Sequence, residues 1–355
     1  MTPKHVLDGY RVLDLSQYLA GPAATNLMVQ MGADVIKVEI GPHGDPVRVF
    51  PYVNETGRSA YFIQQNRGKK SLCLNPKTPE GLAIIKALIK KCDVLLENFA
   101  PGVIGRLGLS WEVVRELNPD IVMCSISAFG QEGPLAEFPG FDFIAQAYAG
   151  VTDLIGEPDR PPSMTMLAFG DVGTGVHAVT AIGYALLERA KRGGGQWLDI
   201  SLLDTYYHHH EVSVQAYSAS DGKIVPRRNG SHHYAVAPTG IFKSKDGNLV
   251  ILALLHQWPV LCRTMGREDL IEDPRFKDND DRIQHLDTMV AIIENWLQAQ
   301  DSDAAALAKL EAARIPCAPI LTVPQAMAHP HMIERQTIRT IEDRVLANSR
   351  FPACR

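Results

Sequence analysis

The 355-residue chain predicts an α/β protein, with a doubly wound, mainly parallel sheet domain and a smaller α+β domain after it. Three observations carry this reading. Apolar runs of strand length alternate with segments of helical period from residue 10 to residue 127. The texture changes after Gly133, where strands give way to longer helical stretches. A polar stretch marked by Gly and Pro then sets off the last third of the chain.

In chain order, YRVLDLS reads as a strand, AGPAATNLMVQMGA as a helix and ADVIKVE as a second buried strand. Pro22 sits near the start of that helix and Gly32 near its end. KKSLCLN is strand-like. TPEGLAIIKALIKKC follows with helical spacing, Thr78 as N-cap and Pro79 at the first helical position. Gly81 stands where a capping box would need an acid or amide. DVLLENF, WEVVRELNP and DIVMCSIS read as strand, helix and strand, which completes a Rossmann-like alternation. FDFIAQAYAG and DVGTGVHAVTAIGYALLERAKR are helical. The Gly193–Gly195 run stops the second of these, and QWLDISLLD returns to strand.

Residues 219–235 (ASDGKIVPRRNGSHHYA) are assigned as a linker between a large domain, 1–218, and a small one, 236–325. The small domain opens with a hairpin, IFKSKDGNLVILAL, turning at Asp246-Gly247. Helical patterns follow at about 257–265, 284–299 and 302–313, then a short apolar run, CAPILTV. Residues 326–355 form a C-terminal segment whose end, ANSRFPACR, has no clear pattern. No repeat of 20–50 residues is present.

Composition narrows the function. Apolar residues are 46% and charged residues 21%, as in an ordinary globular enzyme. The net charge of −5 argues against a nucleic-acid binder, which needs a basic face for phosphates. Six scattered cysteines form no CxxC pair, so a reducing compartment is expected and no zinc site is written. The start, MTPKHVLDGY, has neither an apolar signal core nor an Arg-rich leader. The longest uncharged apolar segment, 172–187, is interrupted by His177 and falls short of a membrane span. A cytoplasmic protein without membrane contact is expected.

Several residues invite chemistry. Asp171, in LAFGDVGTGVHA, stands directly before a long apolar helix, with Gly170, Gly173 and Gly175 around it. It could be an N-cap, or a carboxylate nucleophile kept ionised by the helix start. The two roles are compatible. GDVGTG has the order G-x-x-G-x-G rather than the dinucleotide GxGxxG, and neither a phosphate loop nor a GxSxG elbow occurs. Adjacent His208, His209 and His210 point in different directions and cannot all face one ion, so no metal is expected. Asp142 is a second carboxylate or another helix cap. Asn98, Phe99 and Ala100 end a strand where a parallel sheet opens its ligand crevice. Arg106 then suits an anion, with Lys69, Lys70 and Lys77 beside another strand, although a solvated basic face would look the same.

RVLDLS…AGPAATNLMVQMGADVIKVE, NRGKKSLCLNPKTPEG, DVLLENFAPGVIGRLGL, CSISAFGQEGP and FGDVGTG together resemble the class III CoA-transferases. This is the formyl-CoA and carnitine CoA-transferase group, also called CaiB/BaiF-like. The resemblance spans about residues 1–330, with the blocks in family order. It implies that Asp171 passes CoA from an acyl-CoA donor to an organic acid through a mixed anhydride and an enzyme-CoA thioester. Coenzyme A is then a substrate, and no cofactor stays bound. It further implies CoA contacts from Leu19 and Ala20, from Leu74, Asn75 and Lys77 in the run 74–77, and from Asn98, Phe99, Ala100 and Arg106. Arg106 would meet a CoA phosphate, with Phe99 and Leu74 as an apolar wall. The partner implied is a second copy in an interlocked homodimer.

Water must be excluded from the anhydride, and Asn229-Gly230-Ser231 is a candidate cover. Where the racemase branch carries Gly-His-Asp, this chain has Gly140-Phe141-Asp142. Phenylalanine exchanges no proton, so α-methylacyl-CoA racemisation is disfavoured. Leu19 and Pro139 replace polar or basic residues of the formyl-CoA branch, which favours a larger organic acid over formate or oxalate. The C-terminus is expected to run further in the family, through a Gly-Glu-His-Thr-like segment. The alternatives are a racemase-like enzyme and a CoA-binding protein without turnover.

Overall fold

A computed structural model describes residues 5–54, 57–343 and 347–352. Met1–Lys4 of the predicted leaderless start, and the last three residues with Cys354, lie outside the described residues. The chain divides into two compact units. The first comprises 1–151, 166–211 and 331–355, and the second 152–165 and 212–330.

The first unit is built on six strands: β1 (Arg11–Asp14), β2 (Asp34–Glu39), β3 (Lys70–Cys73), β4 (Val94–Glu97), β5 (Val122–Ser127) and β6 (Gln196–Ser201). Every pairing is parallel, in the order β3-β2-β1-β4-β5-β6. The helices between them are α1 (Ala20–Gln30), α2 (Ala60–Asn66), α3 (Pro79–Ile89), α4 (Val103–Arg106), α5 (Trp111–Leu117), α6 (Asp142–Tyr148) and α7 (Phe169–Arg192). Continuous apolar strands are what a sheet covered on both faces requires. Alternate residues feed opposite cores. Val12, Val94, Leu96, Val122, Cys124 and Ile126 face one side with α1 and α7. Leu13, Leu95 and Met123 face the other, with Ile85, Ile89 and Val114. Thr78 caps α3 by accepting from the Gly81 amide at 3.1 Å, with Pro79 at the first helical position.

Two expectations need correction. QWLDISLLD is not one strand. The backbone turns at Ser201, whose hydroxyl accepts from the Asp204 amide at 2.9 Å and so caps α8 (Leu202–His208). Near the C-terminus, what reads as patternless is an antiparallel pair, β10 (Ile338–Asp343) with β11 (Ala347–Pro352).

The second unit holds α9 (Ser213–Ala219), the hairpin β7 (Thr239–Lys243) and β8 (Asn248–Leu252), α10 (Trp258–Thr264), α11 (Asn279–Gln284), α12 (Leu286–Gln298), α13 (Asp303–Ala312), β9 (Cys317–Pro319) and α14 (Val323–Ala328). A short α15 (Pro330–Glu334) falls at the boundary of the units. Met289, Ile293 and Leu297 recur every fourth residue on α12 and bury against Phe242, Leu249 and Ile251. Residues 220–238 lie within this unit without a helix or strand. There Gly230 donates its amide to the Gly156 carbonyl at 3.1 Å. No helix among the described residues is long and apolar enough to cross a membrane.

Candidate active site

The strand order reverses direction between β1 and β4, and ligands of open parallel sheets bind beyond the carboxyl ends at such a point. The two loops that leave these strands are tied together. Asn98 accepts from the Gln17 amide at 2.8 Å and donates to the Gln17 carbonyl at 2.7 Å. Tyr18, next in the loop, has φ +63°, the left-handed region that a bulky residue enters only under constraint. Its ring meets Phe50 and Phe141 edge to face, at 6.4 and 5.8 Å between centroids. Beside this loop lies a cavity of about 330 Å³, lined by Gln17, Tyr18, Leu19, Ala20, Asn98, Phe99, Ala100, Phe138, Phe141 and Asp171, among others.

Asp171 is the third residue of α7, not the residue before it. Ala168 occupies the N-cap position and offers no side-chain cap. The free amide of Asp171 is satisfied from another helix, by Asp142 Oδ2 at 2.7 Å. Asp142, likewise, does not cap its own helix, where Phe141 holds the N-cap position. Its other oxygen accepts from the Tyr206 hydroxyl at 2.6 Å, and that hydroxyl accepts from the Gly170 amide at 3.1 Å. Burial and Asp142 raise Tyr206 above the usual phenol range, so it stays a donor.

The helix start was expected to keep Asp171 ionised. Burial, and then the neighbouring Asp142 carboxylate, work the other way and raise it to about 7. The carboxyl group that lines the cavity is therefore poised between acid and nucleophile near neutrality.

The glycines of GDVGTG have a packing role. A Cβ on Gly170 would lie 2.4 Å from the Tyr206 ring and 2.9 Å from Asp142 Oδ2. One on Gly175 would lie 3.0 Å from the Ala20 carbonyl of α1. Close helix approach, rather than phosphate access, explains the spacing.

Leu19, Ala20, Asn98, Phe99 and Ala100 come together with Asp171 around the cavity. Leu74, Asn75, Lys77 and Arg106 do not line it. Leu74 packs into the core beside Phe99. Pro76, between Asn75 and Lys77, borders a small crevice that shares Gln17 and Phe99 with the cavity. Arg106 ends α4 and opens onto a broad recess that shares Pro101, Ala136 and Phe138 with it. The side chain of Asn98 is spent on the Gln17 backbone, so it positions the loop. Of the histidines, His177, His208 and His209 cluster, while His210 bonds the Ala149 carbonyl. No group of three or more metal-ligating side chains is placed to hold an ion among the described residues.

Sequence reasoning missed Tyr206, because α8 was read as strand. Ser201 and Asp204, three residues apart, were the available signal of a helix start. The aromatic lining from Tyr18 and Phe138 carried no signal of its own.

The profile of the family described as CoA-transferase family III matches residues 7–355. An acetyl-CoA:oxalate CoA-transferase of Acetobacter aceti is 37% identical over 339 residues, covering 95% of this chain and 86% of its own. A succinate–glutarate CoA-transferase of Agrobacterium fabrum is 36% identical over 341 residues, covering 94% and 84%. The crystal structure of a CaiB/BaiF family protein from Brucella suis superposes with a TM-score of 0.82 at 34% identity, covering 99% of this chain and 97% of that one. The chain belongs to CoA-transferase family III.

Proposed function

We propose that this transferase moves CoA from an acyl-CoA donor to a free carboxylic acid through covalent intermediates on Asp171. The ionised carboxylate attacks the donor thioester carbonyl, forming a mixed anhydride and releasing CoA thiolate. Thiolate attacks the aspartyl carbonyl, giving an aspartyl-CoA thioester and the donor acid. The acceptor carboxylate attacks that thioester, which yields a second anhydride and thiolate. Thiolate then takes the acceptor acyl group, and the Asp171 carboxylate is restored. Each step exchanges one activated acyl bond for another, so neither ATP nor a resident cofactor is needed.

The observation that carries this reading is the Asp171 carboxyl group in a cavity otherwise walled by uncharged side chains, including Leu19, Ala20, Asn98, Phe99 and Ala100. On this reading those residues hold the thioester end of the substrate. Leu74, Asn75, Lys77 and Arg106 meet the rest of CoA, with Arg106 on a phosphate. A second copy of the chain completes a homodimer. Support comes from apolar side chains left exposed on one chain, among them Val172, Val176 and Tyr184 of α7. The cytoplasmic reading draws on the scattered free thiols of Cys73, Cys92, Cys124, Cys262 and Cys317.

Hydroxylamine tests the mechanism. Incubated with enzyme and an acyl-CoA, it should trap a hydroxamate at Asp171, found by peptide mass, and Asp171→Ala should abolish it. Turnover with no added mass at Asp171 in enzyme quenched during reaction removes the mechanism.

A further inference from the structure

We infer that the acyl group handled at Asp171 is a monocarboxylic one with an apolar, aromatic-sized substituent, not a second carboxylate. The inference rests on the proposed role of Asp171 and names the substrate class of that site.

Two observations carry it. First, Asp171 is the sole charged residue among those lining the cavity. A diacid would bring its second carboxylate in beside Asp171 with no cation to meet it. An ionised carboxylate loses its hydration on entering such a space and needs a paired charge or several donors in return. The cations nearest in the fold are already committed. Lys37 bonds Asp45 at 2.9 Å and the Ser16 carbonyl at 2.7 Å. Lys69 bonds Asp14 at 3.1 Å and Asn66 at 2.8 Å. Arg48 makes a two-point pair with Glu39, both contacts at 2.6 Å. Arg106 carries no ion pair among the described residues, but it faces the recess beyond Phe138 and Pro101 rather than the cavity.

Second, the cavity presents aromatic surface that the chain leaves uncovered. Phe141 is 63% exposed, Phe138 55% and Tyr18 37%. Tyr18 and Phe141 meet edge to face at 5.8 Å, which fixes the angle of the wall. The left-handed backbone of Tyr18 is the constraint that turns this ring there. Apolar ligand surface gains by covering such rings, and a charged terminus does not. The chain thus differs in acid preference from the relatives named for oxalate and for succinate and glutarate.

The test uses the full-length protein and matched CoA esters. Binding of 3-phenylpropanoyl-, hexanoyl-, glutaryl- and succinyl-CoA to Asp171→Asn is measured by calorimetry, so that no turnover intervenes. The two apolar esters should bind at least ten-fold tighter than free CoA, and the two diacid esters no tighter than free CoA. Equal binding of the two classes, or preference for the diacid esters, overturns the inference. Phe141→Arg provides a second reading, because this exposed side chain can change without disturbing the core. It should bring glutaryl-CoA level with or ahead of hexanoyl-CoA, and an unchanged order counts against the inference. The hydroxylamine trap on the unaltered enzyme keeps the two ideas apart. Apolar preference in binding without any Asp171 hydroxamate would remove the covalent mechanism and leave the substrate class standing.

Discussion

Asp142 accepts a 2.7 Å hydrogen bond from the backbone amide of Asp171, so two carboxylates from different helices meet at the first turn of α7. The arrangement binds two effects together. It satisfies an amide that no local cap reaches, and it sets a like charge beside the group proposed to attack the thioester. Asp142 is itself held by the Tyr206 hydroxyl, which also takes up the Gly170 amide. Positioning and charge at Asp171 therefore depend on residues far apart in sequence.

Acylation of Asp171 should follow its ionisation. The rate of hydroxamate formation at saturating acyl-CoA should rise with pH through about 7, where burial and Asp142 have brought Asp171. Asp142→Asn keeps an oxygen for the Asp171 amide and removes the like charge. Its profile should move to lower pH. Coincident profiles in the two proteins would show that Asp142 does not act on Asp171 by charge.

The same shift has a consequence for stability. Asp171 titrates near 7 when folded and near 4 when unfolded, so the unfolded chain loses its proton first as pH rises. The folded state is therefore penalised progressively between about pH 4 and 7, and fully above that range. Asp171→Asn does not titrate. It should be more stable than the parent by about 1–2 kcal/mol at pH 8, allowing for its partial exposure, with the gap closing toward pH 4. Urea unfolding at the two pH values measures this. A constant gap would contradict it.

Much of this architecture is legible in the residues. The strands β1, β2, β4 and β5 are uninterrupted apolar runs bounded by Gly, Pro and helix caps, and local pattern suffices for them. Tyr206 was lost because Leu202 and Leu203 continue the apolar run of β6, which hid the cap at Ser201. The meeting of Asp142 and Asp171 spans 29 residues and is decided by how α6, α7 and α8 pack. Spacing along the chain carries no record of it. The β10–β11 pair is obscured by mixed polar and apolar residues that show no clean alternation.

Close packing at the site makes a sharper prediction. Gly170→Ala places a methyl group 2.4 Å from the Tyr206 ring, which must move and release Asp142. The variant should lose about 1–3 kcal/mol in urea unfolding and most of its hydroxamate yield. Gly173→Ala meets the edge of the exposed His209 ring at 3.0 Å and Thr205 at 3.1 Å, so a smaller loss is expected. Similar behaviour of the two variants would refute the role given to Tyr206.

Tyr206→Phe isolates the hydroxyl itself. It leaves the ring in place and withdraws the partner of Asp142 Oδ1 and of the Gly170 amide. Buried groups stripped of a partner cost roughly 1–3 kcal/mol. Denaturant midpoints should fall by a corresponding amount. A midpoint equal to that of the parent would mean that water replaces the hydroxyl.

Arg106 separates binding from chemistry. Its guanidinium is exposed at the end of α4 and is placed for a phosphate, while the cavity with Asp171 lies on the other side of Phe138 and Pro101. Arg106→Ala should weaken CoA binding about ten-fold, equivalent to about 1.4 kcal/mol. It should also flatten the salt dependence of binding, because an exposed charge contact is screened by ions. At saturating acyl-CoA the rate of Asp171 labelling should stay within a factor of about two, since the residue does not line the cavity where the bond is made. Calorimetry at two salt concentrations and quenched labelling read the two halves separately. Unchanged affinity would take Arg106 out of the CoA footprint, and a collapse of the labelling rate at saturation would put it at the reacting atoms instead.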